Sequence, residues 1–428
     1  PFFNDTATTE IYTGTTSSAA SDVYKRQGLL RQHAHNLSRN GRAGRAGRRL
    51  SAPTPCGPTH ERLEAAMNTP QVLLKAIAEL PLPGPVRVLN LCGDQERAIG
   101  LSGLRRVLPE PVSLVAGPGC VASICPQADV FQAIQLARRH PLTLLAGDTM
   151  LRLPIDPVLP GPPTLAEARL EGADIRPVSA PIEALLIARA QPARETVLFL
   201  AGFETLLAPL AGMILEGLPE NLSLLICGRR VEPLLEQRLR RRAAPRFDAL
   251  LLPGNRCAVT GTRAWERIIG DHRLPAAVAG YTGSNLLAAV HAVLRQHCCG
   301  EARVDNCYRA LVRPDGNAMA LDQLERVFEV SDGAWRGLGY VQSSGFRLRQ
   351  TYRVFDADGR FPDYRVEPSA RAGDMPAGCE CAAVVLGVKA PADCRRFDRD
   401  CRRATPQGPC MASEDGACHL HSRLDRAA

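Results

Sequence analysis

Between residues 85 and 299 the chain alternates two kinds of apolar pattern. Short, nearly continuous aliphatic runs occupy 86–91, 112–117, 142–147, 173–178, 197–202, 222–227, 249–254 and 276–280. Between most of them apolar residues recur at i, i+3 and i+4, as in 127–140, 181–190, 231–242 and 284–297. That is the period of a helix with one buried face. Continuous apolar strands alternating with such helices predict parallel sheets covered on both faces, so the expected fold class is α/β. Eight strands in about 215 residues are read as two small parallel-sheet domains, at 67–175 and 176–300. The Pro-rich stretch 157–163 and the helix after it are expected near the junction.

Several strands end in glycine or a polar turn: L-C-G-D, A-G-P-G-C, A-G-D-T, A-G-F-E-T and P-G-N. Ligands in open α/β sheets sit at the carboxyl ends of strands, so these ends point to one face, or to two faces that meet in a cleft. After about residue 301 the pattern changes. Long apolar runs become fewer, W-R-G-L-G (335–339) and S-S-G-F (343–346) appear, and six cysteines crowd the last 50 residues. Residues 301–428 are read as a separate Cys-rich C-terminal domain.

The chain has 428 residues, 45% of them hydrophobic and 5% aromatic, so its cores are mostly aliphatic. No apolar run approaches the roughly 20 residues of a membrane span. Residues 1–66 show no apolar period and include the basic run G-R-A-G-R-A-G-R-R. They resemble translated adapter sequence and are set aside from the fold, with Met67 the expected start. Nine Lys/Arg against five Asp/Glu place half of the formal net charge of +8 in this segment. The remaining charge does not argue for a nucleic-acid or membrane partner. No secretory signal is visible, so a reducing, cytoplasmic setting is expected, with the fifteen cysteines serving metal or redox chemistry rather than a disulfide-stapled tail.

Cys92 and Cys120 both follow predicted strands, Cys120 at the tip of Gly-Pro-Gly. A thiol on a turn leading into a helix gains from the N-terminal dipole, which favours thiolate. A thiolate binds soft metals or exchanges with a disulfide, whereas a buried free cysteine otherwise serves as a small hydrophobe. Cys125 follows five residues after Cys120. Asp148 and Glu204 also sit at predicted strand ends, as cleft carboxylates or helix caps. In the tail, Cys379, Cys381, Cys394, Cys401, Cys410 and Cys418 offer enough thiols for a [4Fe–4S] cluster or a zinc site, with His419 and His421 beside the last. Between 67 and 378 the only histidines are His140, His272, His291 and His297, and no Walker A or strand-linked G-x-G-x-x-G occurs, which argues against a nucleotide-using enzyme.

The order C-G (92–93), G-P-G-C (117–120), G-D-T-M-L-R-L-P (147–154), G-F-E-T (202–205), P-G-N (253–255), V-A-G-Y (278–281), N-C-Y-R (306–309), G-N (316–317), W-R-G-L-G and S-S-G resembles the HypD family of [NiFe]-hydrogenase maturation factors. The tail motifs C-E-C, P-A-D-C-R-R-F, P-Q-G-P-C-M-A-S and E-D-G-A-C are similar as well. The resemblance runs from about 67 to 418. It implies two Rossmann-like domains and a third carrying a [4Fe–4S] cluster, with Cys379, Cys394, Cys401 and Cys418 as favoured ligands, Cys410 in reserve and Cys381 as a neighbour. It also implies a HypC-type chaperone partner and a HypE-type cyanide donor. Cys92 and Cys120 would hold the Fe(CN)2CO iron or act as a thiol/disulfide pair.

The chain departs from the family pattern in the cleft. Ser123 stands where G-P-G-C-P-V-C has its second cysteine, Gln95 where C-G-T-H-T has histidine, and Asn255 where P-G-H does. Thr282 and Asn285 replace an acidic pair, and G-F-E-T-L-L-A-P has one residue more than the family's G-F-E-T-T-A-P. Two readings follow: a divergent working member using Cys92, Cys120 and Cys125, or a degenerate paralogue that binds or regulates without reacting.

Overall fold

The computed structural model describes residues 69–240, 247–364 and 375–425; the segment 1–66 set aside above lies outside them. All eight expected strands form, within a few residues of the predicted limits: β1 Val86–Asn90, β2 Val112–Ala116, β3 Leu142–Ala146, β4 Ile175–Pro177, β5 Glu195–Gly202, β6 Leu222–Arg229, β7 Ala249–Pro253 and β8 Ala276–Ala279. Three more follow, β9 Val304–Asn306, β10 Phe328–Trp335 and β11 Gly339–Leu348. They build two sheets, in the orders β2-β1-β7-β8-β9 and β10-β11-β6-β5-β3-β4. The first is parallel throughout. In the second, β3 to β6 are parallel and the antiparallel hairpin β10–β11 extends the β6 edge.

The sheets divide the chain differently from the contiguous halves expected at 175/176. After β2 the chain crosses to the second sheet for β3 to β6, returns for β7 to β9, and crosses again for β10 and β11. The expected C-terminal domain from 301 is likewise shared out, since β9 joins the first sheet and β10–β11 the second. A parallel sheet accepts a strand from any point in the chain, because its neighbours are joined through crossovers rather than hairpins. Local pattern therefore does not mark which sheet a strand enters. The Pro-rich stretch 157–163 is not at a junction. It lies within the second unit, where Pro163 O accepts from Ile155 N at 2.9 Å and Pro160 O from Gln135 Nε2 at 3.2 Å.

Each sheet is covered on both faces, as continuous apolar strands require. Along β7, Ala249 and Leu251 enter one core with Val290 and Val293 of helix Gly283–Cys299, while Leu250 and Leu252 enter the opposite core with Trp265 and Ile268. Along β5, Val197 and Phe199 face one side and Leu198 the other. The Cys-rich tail docks on the first sheet. Val384, Val385, Met411 and four buried cysteines pack on Ala116 of β2, and Gly387 O accepts from the Arg87 guanidinium at 2.5 Å. The G-N motif at 316–317 is an N-cap: Asn317 Oδ1 accepts from Ala320 N at 3.1 Å, satisfying a first-turn donor of helix Ala318–Val327.

Gln95, one of the departures from the family pattern, is fully buried on helix Gly93–Leu101. Its Nε2 donates to Leu252 O at 3.2 Å and Ala279 O at 2.7 Å, tying the ends of β7 and β8 to that helix. Gln95→Leu keeps the bulk and removes both donors. It should lower unfolding stability by about 1–3 kcal/mol, read from the urea midpoint at unchanged slope; an unshifted midpoint would show the two bonds to be energetically idle.

Candidate functional site

The carboxyl ends of β1, β2, β7 and β8 face those of β3, β4 and β5 across a cavity of about 630 Å³, so the two faces do meet in a cleft. Cys92 and Cys120 both lie in its wall, with Tyr281, Asn255, Thr149 and Thr205 among the polar groups around them. Each cysteine is the N-cap of the helix that follows its strand, Gly93–Leu101 and Val121–Ile124. Their turns touch. Gly93 N donates to Gly119 O at 3.1 Å, and a Cβ on Gly119 would stand 2.4 Å from the Cys92 Cα. Neither Gly117 nor Gly119 has a positive φ. Glycine is needed at 119 for close approach, not for a left-handed turn.

The expected lowering of the thiol pKa values by the helix termini does not occur. Burial pushes the Cys92 thiol up and Asp94 adds to it, while main-chain N–H groups of Gln95 and Asp94 and the Tyr281 hydroxyl pull the other way. Burial and then Asp415 raise Cys120 against its hydrogen bonds with Ser123 and Ser413. The Cys120 Sγ donates to Ser413 Oγ at 3.1 Å. In a dry wall the desolvation of a thiolate outweighs a few N–H dipoles. Asp415, also in the wall, is pushed up to about 7 by burial and by Asp94, with Arg97 3.8 Å away opposing.

The other expected site residues fall elsewhere. Asp148 is exposed in the first turn of helix Asp148–Leu151 and outside the cavity wall; its neighbour Gly147 is the N-cap. Glu204 opens helix Glu204–Glu216 and is buried behind the wall, where its Oε2 pairs with Arg256 Nε at 2.9 Å. Arg256 itself lines the cavity, pairs also with buried Glu232, and lies under the Phe203 and Trp265 rings. Burial pushes Glu204 up, Arg256 opposing and Glu232 adding. Cys125 is buried outside the cleft wall, grouped with Cys227 and Asp129. Asp94, Tyr281, Ser413 and Asp415 are not among the expected site residues; Asp94 in L-C-G-D and Tyr281 in V-A-G-Y, both at strand ends, carry the same positional signal as Cys92.

Of the substituted positions, Asn255 lines the cavity, and the others bond beside it. Asn255 Nδ2 donates to Asp94 Oδ2 at 3.2 Å, Asn255 N donates to the Tyr281 hydroxyl at 2.7 Å, and Thr282 caps helix Gly283–Cys299 by accepting from Asn285 N. Ser123 Oγ lies 3.3 Å from Cys410 Sγ. The cleft turn is thus joined to the tail twice, through Cys120–Ser413 and Ser123–Cys410.

In the tail, the sulfurs of Cys381, Cys410 and Cys418 lie within 4.8 Å of one another, and Cys379 Sγ is 3.3 Å from Cys381 Sγ. Burial raises the Cys401 thiol, with smaller contributions from Cys379 and Cys394, and Cys394 also acts on Cys418; the close group itself is Cys381, Cys410 and Cys418, with Cys379 beside it. The hydrogen bond from Cys381 brings Cys379 down to about 7, with Arg336 and Arg396 helping and burial opposing. Gly408 crosses directly over the sulfurs: a Cβ there would stand 2.4 Å from Cys379 Sγ. Gln407 N donates to Cys401 Sγ at 3.4 Å. Converging sulfurs, N–H···S donors and nearby guanidinium groups suit a thiolate-bound metal or iron–sulfur cluster. His419 Nδ1 is engaged with Met411 O at 3.1 Å rather than grouped with the sulfurs.

Two outcomes follow from these buried charges. Asp415 is raised in the folded state, so the native form holds its proton longer than the unfolded chain does, and its contribution to stability falls as pH rises from about 4 to about 7. Asp415→Asn should therefore gain stability over the parent at pH 7.5 and lose that advantage by pH 4.5 in paired thermal melts. In the Arg256 group, Glu204→Gln leaves the Arg256–Glu232 pair neutral and should be tolerated, whereas Arg256→Met leaves two buried carboxylates together and should cost about 3–5 kcal/mol. Equal losses in urea unfolding would refute that assignment.

The family model described as "HypD: Hydrogenase formation hypA family" matches residues 68–424. The chain is 35% identical over 360 residues to hydrogenase maturation factor HypD2 of Bradyrhizobium diazoefficiens, covering 82% of this chain and 92% of that one. It is 35% identical over 349 residues to hydrogenase maturation factor HypD of Cupriavidus necator, covering 79% and 89%. Against HypD of Rhizobium leguminosarum bv. viciae the identity is 34% over 342 residues, covering 78% and 86%. With both sheets, the thiol cleft and the Cys-rich tail inside the matched span, the chain belongs to the HypD family.

Proposed function

We propose that this protein acts in [NiFe]-hydrogenase maturation, assembling or carrying the Fe(CN)2CO unit in the cleft together with a HypC-type chaperone and a HypE-type cyanide donor. The observation that supports it most is the meeting of Cys92 and Cys120 in one cavity wall, from two different strand ends. Both thiols are held protonated by burial, so taking up the iron substrate requires their two protons to leave. Asp94 and Asp415 beside them are the carboxylates placed to receive those protons. Cys379, Cys394, Cys401 and Cys418 would hold a [4Fe–4S] cluster, which when bound supplies one-electron chemistry. Cys410 meets Ser123, and Cys381 lies beside Cys379.

A second reading is supported by the substituted positions. Gln95 and Asn255 are engaged in hydrogen bonds between elements, and Ser123 offers a hydroxyl to Cys410 in place of a thiol. A paralogue that keeps the cleft and tail but only binds would look like this.

The test is metal analysis and infrared spectroscopy on anaerobically purified protein, with and without a HypC-type chaperone. The parent should hold about four tail irons per chain and, with the chaperone, a further iron with cyanide and carbonyl stretching bands. Cys92→Ala and Cys120→Ala should lose those bands and keep the tail iron. Cys394→Ser and Cys401→Ser should lose tail iron and sulfide, while Cys381→Ser and Cys410→Ser keep them. Stoichiometric zinc without sulfide would overturn the cluster, and cleft iron unchanged in Cys120→Ala would leave the binding paralogue as the better reading.

A further inference from the structure

The second sheet carries a thiol site separate from the cleft and from the tail. Cys125 lies just before helix Gln127–Arg139, Asp129 is in the first turn of that helix, and Cys227 is near the end of β6. The helix packs on β3 of the same sheet, and Cys125 and Cys227 share one core cluster. Their two sulfurs and a carboxylate oxygen of Asp129 all lie within 4.8 Å of one another, and all three residues are buried. Neither cysteine lines the cleft.

We propose that Cys125, Cys227 and Asp129 bind a divalent thiophilic cation, with zinc the reference ion. Two thiolates and a carboxylate are a donor set that zinc accepts, leaving a fourth position for solvent. Zinc–sulfur bonds of about 2.3 Å in a tetrahedral site place two sulfurs about 3.8 Å apart. Closing the observed spacing to that value asks about 1 Å at most of side-chain motion. A polar pocket of about 260 Å³ adjoins the site, lined by Asp129, Arg229, Asp332, Asp356, Asp358 and Arg347, with Arg347 and Tyr340 exposed at its edge. Its four carboxylates outnumber its two guanidinium groups, and Arg347 is paired with Glu329 at 2.8 Å, so the local field favours entry of a cation.

Charge is balanced in both states. Without an ion, the Asp129 carboxylate shares its pocket with Arg229, whose guanidinium donates to Ala334 O at 2.9 and 2.6 Å and to Gly228 O at 2.8 Å. With an ion, both thiol protons leave to solvent, and two thiolates, one carboxylate, Arg229 and the dication again sum to zero.

Cobalt(II) reports such a site directly, since tetrahedral thiolate coordination gives sulfur-to-cobalt absorption in the near ultraviolet and visible d–d bands. Anaerobic protein with its tail iron counted beforehand is titrated with cobalt(II) and then competed with zinc. Cys125→Ala and Cys227→Ala should each bind one equivalent fewer than the parent, with tail iron unchanged. Asp129→Asn should keep the sulfur-to-cobalt band but bind at least tenfold more weakly. Thermal melts accompany each variant; if Cys227→Ala does not fold, Cys125→Ser and Asp129→Asn decide the matter. Equal cobalt stoichiometry and identical spectra in the parent and the folded cysteine variants would overturn the site.

Discussion

The cleft depends on one close backbone contact. The turn after β2 lies against the start of the helix after β1, joined by Gly93 N to Gly119 O and possible only because position 119 has no Cβ. A side chain there would collide with the Cys92 main chain, and a well-packed interior has no slack to absorb the shift. Two strand ends that pair as neighbours in a parallel sheet are thereby carried past the sheet still in contact. Cys92 and Cys120 reach the same cavity because their turns cannot separate.

What surrounds that contact is unusually dry for a group of ionisable residues. Two thiols, the Arg256 group and, farther off, the Cys125 cluster are all buried, Asp415 is half-buried, and burial outweighs the neighbouring dipoles at both cleft thiols. Resting thiols are therefore held neutral, and a cation supplies the charge that makes thiolate favourable. The tail follows a different electrostatic logic. Cys379 has hydrogen-bond partners and two arginines about it and comes down to about 7, so its sulfur approaches the thiolate state without an ion. A poised tail beside a neutral cleft is consistent with the division of labour proposed for the two, and the contacts Cys120–Ser413 and Ser123–Cys410 are where they meet.

The positions at which the chain departs from its family are not loose ends. Gln95 braces two strand ends, Asn255 links Asp94 to Tyr281, and Thr282 caps a helix. Each imidazole or carboxylate lost from the family pattern is replaced by a neutral group, and Gln95, Asn255 and Thr282 each use their side chains to tie or cap an element. The scaffold is preserved while the number of titratable groups around the thiols falls.

The strands, their parallel pairing and the burial of both sheet faces were legible in the sequence, because a continuous aliphatic run of strand length has few other ways to leave water. The strand-end thiols and the Cys-rich tail were legible for a similar reason: residue type and position at a strand's carboxyl end constrain their chemistry locally. Sheet membership was not, since β3 to β6 and β7 to β9 carry the same pattern and only three-dimensional packing sorts them into two sheets. The thiol ionisation was misjudged, because helix-end dipoles are local to the chain whereas desolvation is set by everything folded around it. Asp148 and Glu204 look alike along the chain, each following a strand that ends in glycine. Only the fold leaves one in solvent and places the other against Arg256, fifty-two residues farther along. Cys125 and Cys227 are about a hundred residues apart and meet because the turn before helix Gln127–Arg139 and the end of β6 share one core, a juxtaposition decided by tertiary packing and by nothing in the neighbourhood of either residue.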